Sequence, residues 1–570
     1  MLAMKTYTNL VSMNRGTCAE VGPRTALRYK RFGRYTDLTW NDLRAQADKC
    51  AAGLIQLGVQ PGDRVAIFAE NRYEWIITDL AILSTGAADV ALHAPLAPEQ
   101  AAYQLENSGS RGVFVSNQKQ ADKVFAVIDE LPQLEFLISF EPIISPVPES
   151  RLKVLSWEGL KQRGWSQWVE LRPEIERREQ AITGDDLATL IYTSGTTGHP
   201  KGVMLSHGNL VTNAAAVLSI SAIYPQYVIL SWLPYSHIYA RTVDLYVTQM
   251  IQGVIALADS VETLIPNLRE IQPHWMTSVP RFYEKVWGNI ERLPEEKRGP
   301  ALKGIFGRRL HHLASGGAPL PKHICEAFNG LGVPLLEGYG LTETSPVIAF
   351  NRFGKVRPGT VGQAIPGVDI RIAEDGEILS RGPHIMQGYW QNPEATAEVI
   401  VDGWFHTGDV GEIDDDGFLS ITDRKKDIIV TSSGKNVAPT EIERLLTKHP
   451  LIDQAVVYGD NRNFITAILV PTFDLLESKL KEQGVALKTD DEFIDQPEVM
   501  EFFTKIVEEQ MQHVSNPERV RRFLVLSRPF SLADDELTAT QKVRRRHIIA
   551  KYEQELEALY SGGATYANGD

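Results

Sequence analysis

YTSGTTGHPKG, residues 192–202, is the stretch on which the reading of this chain turns. It follows a mostly apolar run, Leu187 to Ile191, whose pattern predicts a buried strand. Glycines let a backbone approach an anion closely, and the hydroxyls of Thr193, Ser194, Thr196 and Thr197 add donors, so a turn of this composition suits a phosphate chain. Gly195, Gly198 and Lys201 complete the cradle. A Walker loop sets Gly-Lys-Ser/Thr directly before its helix, whereas Lys201 stands behind Pro200 and is followed by Gly202. The stretch is a phosphate loop of another type; a plain surface turn is the alternative that any few of these residues alone would favour.

Working outward, EGYGLTET (337–344) offers an aromatic face in Tyr339, flexible backbone at Gly338 and Gly340, a hydroxyl in Thr342 and a carboxylate in Glu343. An aromatic face can stack on a purine, and a carboxylate near triphosphate oxygens serves as a magnesium ligand. ASGGAPL (314–320) is a second glycine-rich turn after an apolar strand, for which a hairpin corner is the plain reading. In SWLPYSHIYAR (231–241), His237 lies among apolar and aromatic neighbours, as a core histidine would. Asp414 to Asp416 lack the later ligands and glycine spacing of a calcium loop and read as a solvated turn.

The chain as a whole sets bounds. At 570 residues it predicts roughly two to four domains. A net charge of −14 weighs against a nucleic-acid partner. Three cysteines, far apart, give neither a disulfide framework nor a zinc site. MLAMKTYTNL is not of the secretory kind and no long apolar run follows, so a soluble cytoplasmic protein is expected. Contact with the inner face of a membrane and a homodimer are compatible with this composition.

Helical spacing from Thr39 to Gly58 and from Tyr73 to Ser84 alternates with apolar strands at Val65–Phe68, Ala88–Leu92 and Arg111–Ser116. That alternation predicts parallel sheet with helices on its faces. The stretch from Gln118 to Gly184 reads as less regular. After the loop, Asn209 to Ile220 reads as a helix; beyond Ile365, Glu374–Gly376 and Asp415–Gly417 are hairpin signals. Asn436–Lys448 and Asp490–Val514 read as helices, and Gln454–Gly459 and Thr466–Pro471 as strands.

The two glycine-rich motifs and EGYGLTET, together with TGD (407–409), DRKKD (423–427) and LTATQKVRRR (537–546), resemble the signatures of the adenylate-forming enzymes: acyl-CoA synthetases, firefly-type luciferases and peptide synthetase adenylation domains. YSHIYAR and SVPRFYEKVW (278–287) look most like long-chain fatty acyl-CoA synthetases. The resemblance implies an α/β fold: a large N-terminal domain of stacked α/β sheets with a β-rich subdomain (1–424), a small mobile C-terminal α+β domain (425–558), and a disordered tail (559–570).

It also implies roles. Thr193 to Gly198 with Lys201 would hold ATP phosphates, and Gly316, Gly317 and Ala318 would line the adenine beside Gly338, Tyr339 and Gly340. Asp409 and Arg424 would hold the ribose. Glu343, helped by Thr193, would bind Mg2+; Thr342 and His237 would stand in the catalytic set. Lys426 would be the hinge and Lys542 the adenylation lysine, although Ala539 stands where the long-chain enzymes usually carry proline. The basic run Arg544 to Arg546 reads either as a solvated helix face or as a phosphate contact.

The implied activity is ATP-dependent conversion of a long-chain fatty acid to an acyl-adenylate, then to a thioester of coenzyme A. Aryl or medium-chain acids, transfer to a carrier protein, and a non-catalytic adenylate-binding homologue are the alternatives.

Overall fold

The computed structural model describes residues 6–144, 152–193, 199–425, 427–432, 436–489, 491–512, 514–515, 518–532, 534–538 and 543–560. The chain forms two compact units. One comprises Met1–Arg371, Leu379–Thr407 and Asp414–Leu419; the other comprises Ile372–Ile378, Gly408–Ile413 and Ser420–Asp570.

The larger unit is built on two sheets. In the first, eight strands run edge to edge as Gly388–Tyr389, Lys201–Ser206, Leu187–Thr193, Ala88–Leu92, Arg64–Phe68, Gly112–Val115, Phe136–Ser139 and Lys153–Ser156. The pairings are parallel from Leu187–Thr193 onward, and Lys201–Ser206 is antiparallel to both its neighbours. The second sheet has nine strands, with a parallel centre from Leu335–Gly340 to Thr25–Arg31.

Strand side chains alternate between faces. Val65 and Ile67 join a central core, whereas Ala66 and Phe68 join an outer one. In the other sheet Ile229 and Trp275 face the same central core, and Leu230 and Met276 face a third. The helices Trp40–Gln56, Tyr73–Ser84 and His207–Ile220 supply the central core, so the layers alternate helix, sheet, helix, sheet, helix. Both faces of each sheet are covered, which is why the strands read as continuous apolar runs.

Most expected elements are present within a residue or two. The stretch from Gln118 to Gly184 departs from expectation: it holds the strands Phe136–Ser139 and Lys153–Ser156 and the helices Gln118–Phe125, Trp157–Ser166 and Trp168–Ala181. ASGGAPL is not a hairpin corner, because His312–Ser315 and Leu335–Gly340 pair in parallel with the helix Lys322–Gly330 between them. Five strands between residues 369 and 424 form one sheet, with turns at both expected hairpins. The turn Asp414 to Asp416 is exposed, and Arg357 pairs with Asp414 and, at 2.6 Å, with Asp416.

The smaller unit carries a three-stranded sheet, Ile452–Tyr458, Ile465–Pro471 and Val520–Val525. One face packs on helices Pro439–Leu446, Phe473–Glu482 and Pro497–Met511, and the other on Arg545–Lys551 and Glu553–Ala558. The predicted helices at 436–448 and 490–514 begin later than expected, each with proline in its first turn, where a missing N–H costs nothing. Leu559 and Tyr560, placed in the expected tail, are packed: Leu559 is buried, and the Tyr560 hydroxyl lies within hydrogen-bond distance of the carbonyls of Tyr458 at 3.2 Å and Phe464 at 3.0 Å, whereas residues 561–570 lie outside the described residues.

Candidate active site

The phosphate-type loop closes an antiparallel hairpin in which Thr193 and Lys201 are register partners at the mouth. Ser194, Gly195, Thr196, Thr197 and Gly198 lie outside the described residues. The returning limb is anchored on the helix Pro98–Ser108: the His199 ring stacks on Tyr103 at 4.6 Å, and the Tyr103 hydroxyl donates to the Pro200 carbonyl at 3.1 Å. A cleft of about 370 Å³ opens beside this limb, lined by Tyr103, His199, Lys201, Trp390, Glu394 and Glu398. Its two carboxylates weigh against a polyphosphate ligand there.

Lys201–Ser206 runs into the helix His207–Ile220 through a capping box. The Asn209 N–H donates to Ser206 Oγ at 3.1 Å, and the Ser206 N–H donates to Asn209 Oδ1 at 2.9 Å. The Asn209 amide then donates to the carbonyls of Pro383 and Ile385 at 2.8 and 2.9 Å, and the Asn213 amide to that of Val347 at 2.8 Å. One helix thus grips both segments that flank Glu343 in space.

Glu343 is half-buried in the short 3-10 turn Thr342–Thr344. Its carbonyl accepts from the Met386 N–H at 2.8 Å, and its Oε1 accepts from the Tyr389 hydroxyl at 2.8 Å. The Lys201 ammonium sits 4.9 Å from the centre of the same tyrosine ring. Tyr389 therefore joins the carboxylate of EGYGLTET to the lysine of the loop. Sequence reasoning missed it: Gly388-Tyr389-Trp390 gives no sign that a hydroxyl will reach Glu343.

Gly338 and Gly340 have a different reason from the one expected. A Cβ on Gly340 would lie 1.7 Å from the Pro346 carbonyl oxygen, and one on Gly338 would lie 2.6 Å from Phe350 Cδ2. They are there for the close passage of Val347–Phe350, not for flexibility. Tyr339 between them is half-buried.

The second glycine turn joins the same neighbourhood. The buried Glu337 carboxyl accepts from the Leu320 N–H at 2.9 Å; burial raises its pKa to about 8, against that hydrogen bond. A Cβ on Gly316 would sit 3.0 Å from the Tyr239 ring; Gly317, with φ +80°, is exposed, and Ala318 is half-buried. His237 is half-buried, and its Nδ1 accepts from the Tyr239 N–H at 3.2 Å. Its neighbour Ser236 shares a 2.6 Å hydrogen bond with His93, another residue the sequence did not single out. Burial lowers the His93 pKa to about 4 and so keeps the ring neutral.

Ala240–Tyr246 forms a π-helix, all seven residues buried. Arg241 pairs there with both Asp89 oxygens, one at 2.8 Å, and with Asp79 at 2.5 Å; it also donates to Thr189 Oγ1 and Tyr246 Oη, each at 2.8 Å. Two carboxylates face one guanidinium, and burial pushes the Asp79 carboxyl up into the neutral range. Thr242 Oγ1 donates to the Ser345 carbonyl at 2.9 Å. The π-helix thereby fastens the strand that carries Thr193 and the turn that carries Glu343.

In the smaller unit, Arg424 Nε donates to Asp409 Oδ1 at 2.9 Å, with Asp409 buried and Arg424 half-exposed. The turn beneath is fixed by Glu377, which accepts from the Gly408 N–H and pairs with Lys425, both at 2.9 Å. Lys426 and Lys542 lie outside the described residues. The basic run is committed to carboxylates, as neither of its expected readings had it: Arg544 pairs with Asp535 at 2.7 Å, Arg545 with Glu443 at 2.5 Å and Arg546 with Asp427 at 3.5 Å.

The family described as AMP-binding enzyme matches residues 15–390, and the AMP-binding enzyme C-terminal domain matches residues 426–564. The long-chain-fatty-acid–CoA ligase FadD15 of Mycobacterium tuberculosis (strain ATCC 25618 / H37Rv) is 34% identical over 581 residues, 94% of each chain. The long-chain-fatty-acid–CoA ligase heimdall of Drosophila melanogaster is 29% identical, over 92% of this chain and 90% of its own. Among solved structures, the adenylation domain of a carboxylate reductase from Mycobacterium chelonae has the same fold, with a TM-score of 0.81 at 23% identity over 98% and 92% of the two chains. No helix among the described residues is long and apolar enough to cross a membrane. On these matches and this architecture, the chain belongs to the AMP-binding enzymes.

Proposed function

We propose that this chain is a cytoplasmic acid–thiol ligase that activates a long-chain fatty acid with ATP and passes the acyl group to coenzyme A, releasing AMP and pyrophosphate. The observation that carries the reading is the meeting of Glu343 and Lys201 on Tyr389 at the mouth of the Thr193–Lys201 hairpin. The class of acid rests on the names of the relatives that match over most of their length. Because such an acid partitions into bilayers, transient contact with a membrane surface belongs to the same reading.

Adenylate formation brings a carboxylate against an α-phosphate, so two anions must approach. Unit charges about 4 Å apart repel by roughly 4 kcal/mol at an effective dielectric near 20, which uncompensated would slow the step on the order of a thousandfold. Lys201 and the hairpin mouth would hold the β and γ groups, Tyr339 would stack on the purine, and Asp409 with Arg424 would hold the ribose hydroxyls. Lys542 would lie between the carboxylate and the α-phosphate as charge develops. The acid oxygen bonds to the α-phosphorus as the bond to pyrophosphate breaks; the thiolate of coenzyme A then takes the acyl carbon and AMP leaves.

The donor set suits magnesium. Glu343 offers a carboxylate held by the Tyr389 hydroxyl, on the tyrosine whose ring the Lys201 ammonium faces. That is the pattern for an ion held by one or two carboxylates plus substrate phosphates. Bound there with the help of Thr193, it would neutralise phosphate oxygens and orient the leaving group.

The test is pyrophosphate release across acetate, octanoate, palmitate, oleate and benzoate, with and without coenzyme A. Sustained turnover only with long acids and coenzyme A is expected; turnover peaking with another acid would change the substrate, and no release with any acid would refute the reading.

A further inference from the structure

The strands Thr25–Arg31 and Arg34–Thr39 of the larger unit pair antiparallel through a two-residue turn, Phe32-Gly33. Both turn residues have positive φ, +51° and +75°, as in a type I′ turn, which asparagine or glycine fits and a bulky side chain strains. The Phe32 ring stands there 93% exposed. A Cβ built on Gly33 would meet nothing within 4 Å, so the backbone of the tip is clear of the rest of the chain. Arg31 and Arg34 flank the turn, both exposed and directly opposed as register partners, and neither forms an ion pair among the described residues. Like charges facing across a ladder destabilise it. The Arg31 guanidinium lies 5.4 Å from the Phe32 ring. The residues chosen at this tip work against the hairpin, as residues kept for a task outside the fold do.

The base of the hairpin is fixed. The Tyr35 hydroxyl lies within hydrogen-bond distance of the Leu257 carbonyl, at 3.1 Å, and of Asn267 Oδ1, at 2.6 Å. Lys30 pairs with Glu270 at 3.1 Å and Arg28 with Asp37 at 3.2 Å, so those charges are matched. Thr25–Arg31 runs parallel to Val254–Leu257, with Leu27 beside Ile255 and Arg28 beside Ala256. Carried forward, that register sets Arg31 and Phe32 about 7 and 10 Å beyond the end of the neighbouring strand. Val254–Leu257 is in turn parallel to Val228–Ser231, whose end leads into the turn that carries His237. The tip therefore projects from the same end of the sheet as the candidate site, two strand spacings, about 10 Å, to one side of the His237 strand. On the loop after Leu257, Val261 is exposed at that end too, and the exposed Asp259 and Glu262 offset part of the arginines' charge.

We propose that residues 31–34 dock the chain on an anionic lipid bilayer. Phe32 enters the boundary between headgroups and acyl chains, and Arg31 and Arg34 take lipid phosphates. A four-residue tip cannot supply the roughly 800 Å² per partner that a stable protein interface buries, whereas a bilayer closes around a single ring. The net charge of −14 repels an anionic surface from the chain as a whole, so docking is confined to this tip and is weak and reversible. The inference deepens the ligase reading and rests on it for its use: docking turns the site end of the sheet toward the phase in which a long-chain acid dissolves.

The experiment uses the full chain. One readout is co-sedimentation with phosphatidylcholine vesicles, with and without phosphatidylglycerol, at low and high salt. The other is pyrophosphate release with palmitate supplied either in those vesicles or on albumin. The variants are Phe32→Asn, Phe32→Trp and the pair Arg31→Gln with Arg34→Gln. The wild type should bind the anionic vesicles and lose most of that binding at high salt. Phe32→Asn should lower the vesicle partition coefficient about tenfold, the scale of one aromatic ring returned to water, with a melting temperature at or above that of the wild type because asparagine fits the turn. Phe32→Trp should retain binding. The paired arginine variant should lower partition on anionic vesicles about twentyfold, roughly fivefold for each charge, and leave neutral vesicles little changed. Pyrophosphate release by Phe32→Asn should fall with vesicle-borne palmitate and match the wild type with albumin-bound palmitate. Wild-type vesicle binding in Phe32→Asn, or binding indifferent to phosphatidylglycerol, would overturn the proposal. So would a dimer in solution that Phe32→Asn dissolves while vesicles are left unbound, since the tip would then be a contact between copies. Vesicle binding needs no catalysis, so a chain that docks as described yet releases no pyrophosphate upholds the docking and refutes the ligase reading.

Discussion

Replacing Tyr389 by phenylalanine removes one oxygen and leaves the ring in place. The oxygen donates to Glu343 at 2.8 Å, and the retained ring still faces the Lys201 ammonium at 4.9 Å. A hydrogen bond to a charged partner contributes about 1.5–3 kcal/mol. Glu343 is half-buried, so water can take over part of that bond and the lower end applies. About 1.5 kcal/mol corresponds to roughly a tenfold loss. If Tyr389 orients Glu343 for magnesium-bound ATP, Tyr389→Phe should lower kcat/KM for pyrophosphate release about tenfold and raise the magnesium concentration giving half-maximal rate, with the melting temperature held within about 2 °C. Tyr389→Leu removes the ring face as well and should cost about a further threefold, the worth of an exposed cation–π contact near 0.5–1 kcal/mol. The assay is continuous pyrophosphate release with palmitate, titrated with magnesium at fixed ATP. A phenylalanine variant with wild-type rate and wild-type magnesium dependence would refute the link between the tyrosine and the carboxylate.

Gly340→Ala forces a methyl to 1.7 Å from the Pro346 carbonyl, so the strand crossing must open; the chain should melt earlier by several degrees and lose adenylation, as a thermal scan beside the pyrophosphate assay would show. Arg241→Met strands two buried carboxylates, Asp79 and Asp89, and should lower unfolding free energy by about 3–5 kcal/mol, read from the urea midpoint. Glu337 has a folded pKa of about 8, above its unfolded value, so the stability linked to it is full in acid and falls away as pH rises toward 8. Glu337→Gln should remove that decline, and parallel denaturation curves for the two proteins at pH 5 and pH 8 check it.

Much of the frame was legible because local rules agreed with the fold. The strands Arg64–Phe68 and Ala88–Leu92 are short apolar runs bounded by Gly62 and Gly86, and the helix Trp40–Gln56 starts at the Thr39 capping box. The helices Trp157–Ser166 and Trp168–Ala181 were hidden by apparent breakers. Gly164 is helical because a Cβ there would lie 1.9 Å from the Lys49 carbonyl, so its reason is a helix crossing; Pro173 sits inside the second helix. Candidate site residues could be named one by one from their motifs, whereas their supports could not. Tyr389 meets Glu343 across 46 residues, and Arg241 meets Asp89 across 152. The arginines 544–546 looked like free cations because their carboxylates, apart from Asp535, come from the segments around 427 and 443.

The π-helix Ala240–Tyr246 carries a liability of length more than of chemistry. Each residue of an α-helix advances the chain by about 100°, and a π-helix is a helix that has accommodated an extra one. Deleting a single residue between 240 and 246 would remove the extra one and let the segment relax to ordinary pitch with its two ends, and with them His237 and the helix Val247–Met250, kept nearly in phase, so the change would fall on the side chains of Arg241 and Thr242. Relatives and laboratory variants of this chain that keep the residue count should therefore keep the arginine at 241 and the hydroxyl at 242, and a one-residue gap there would mark a protein whose loop strand and Glu343 turn are held by some other means.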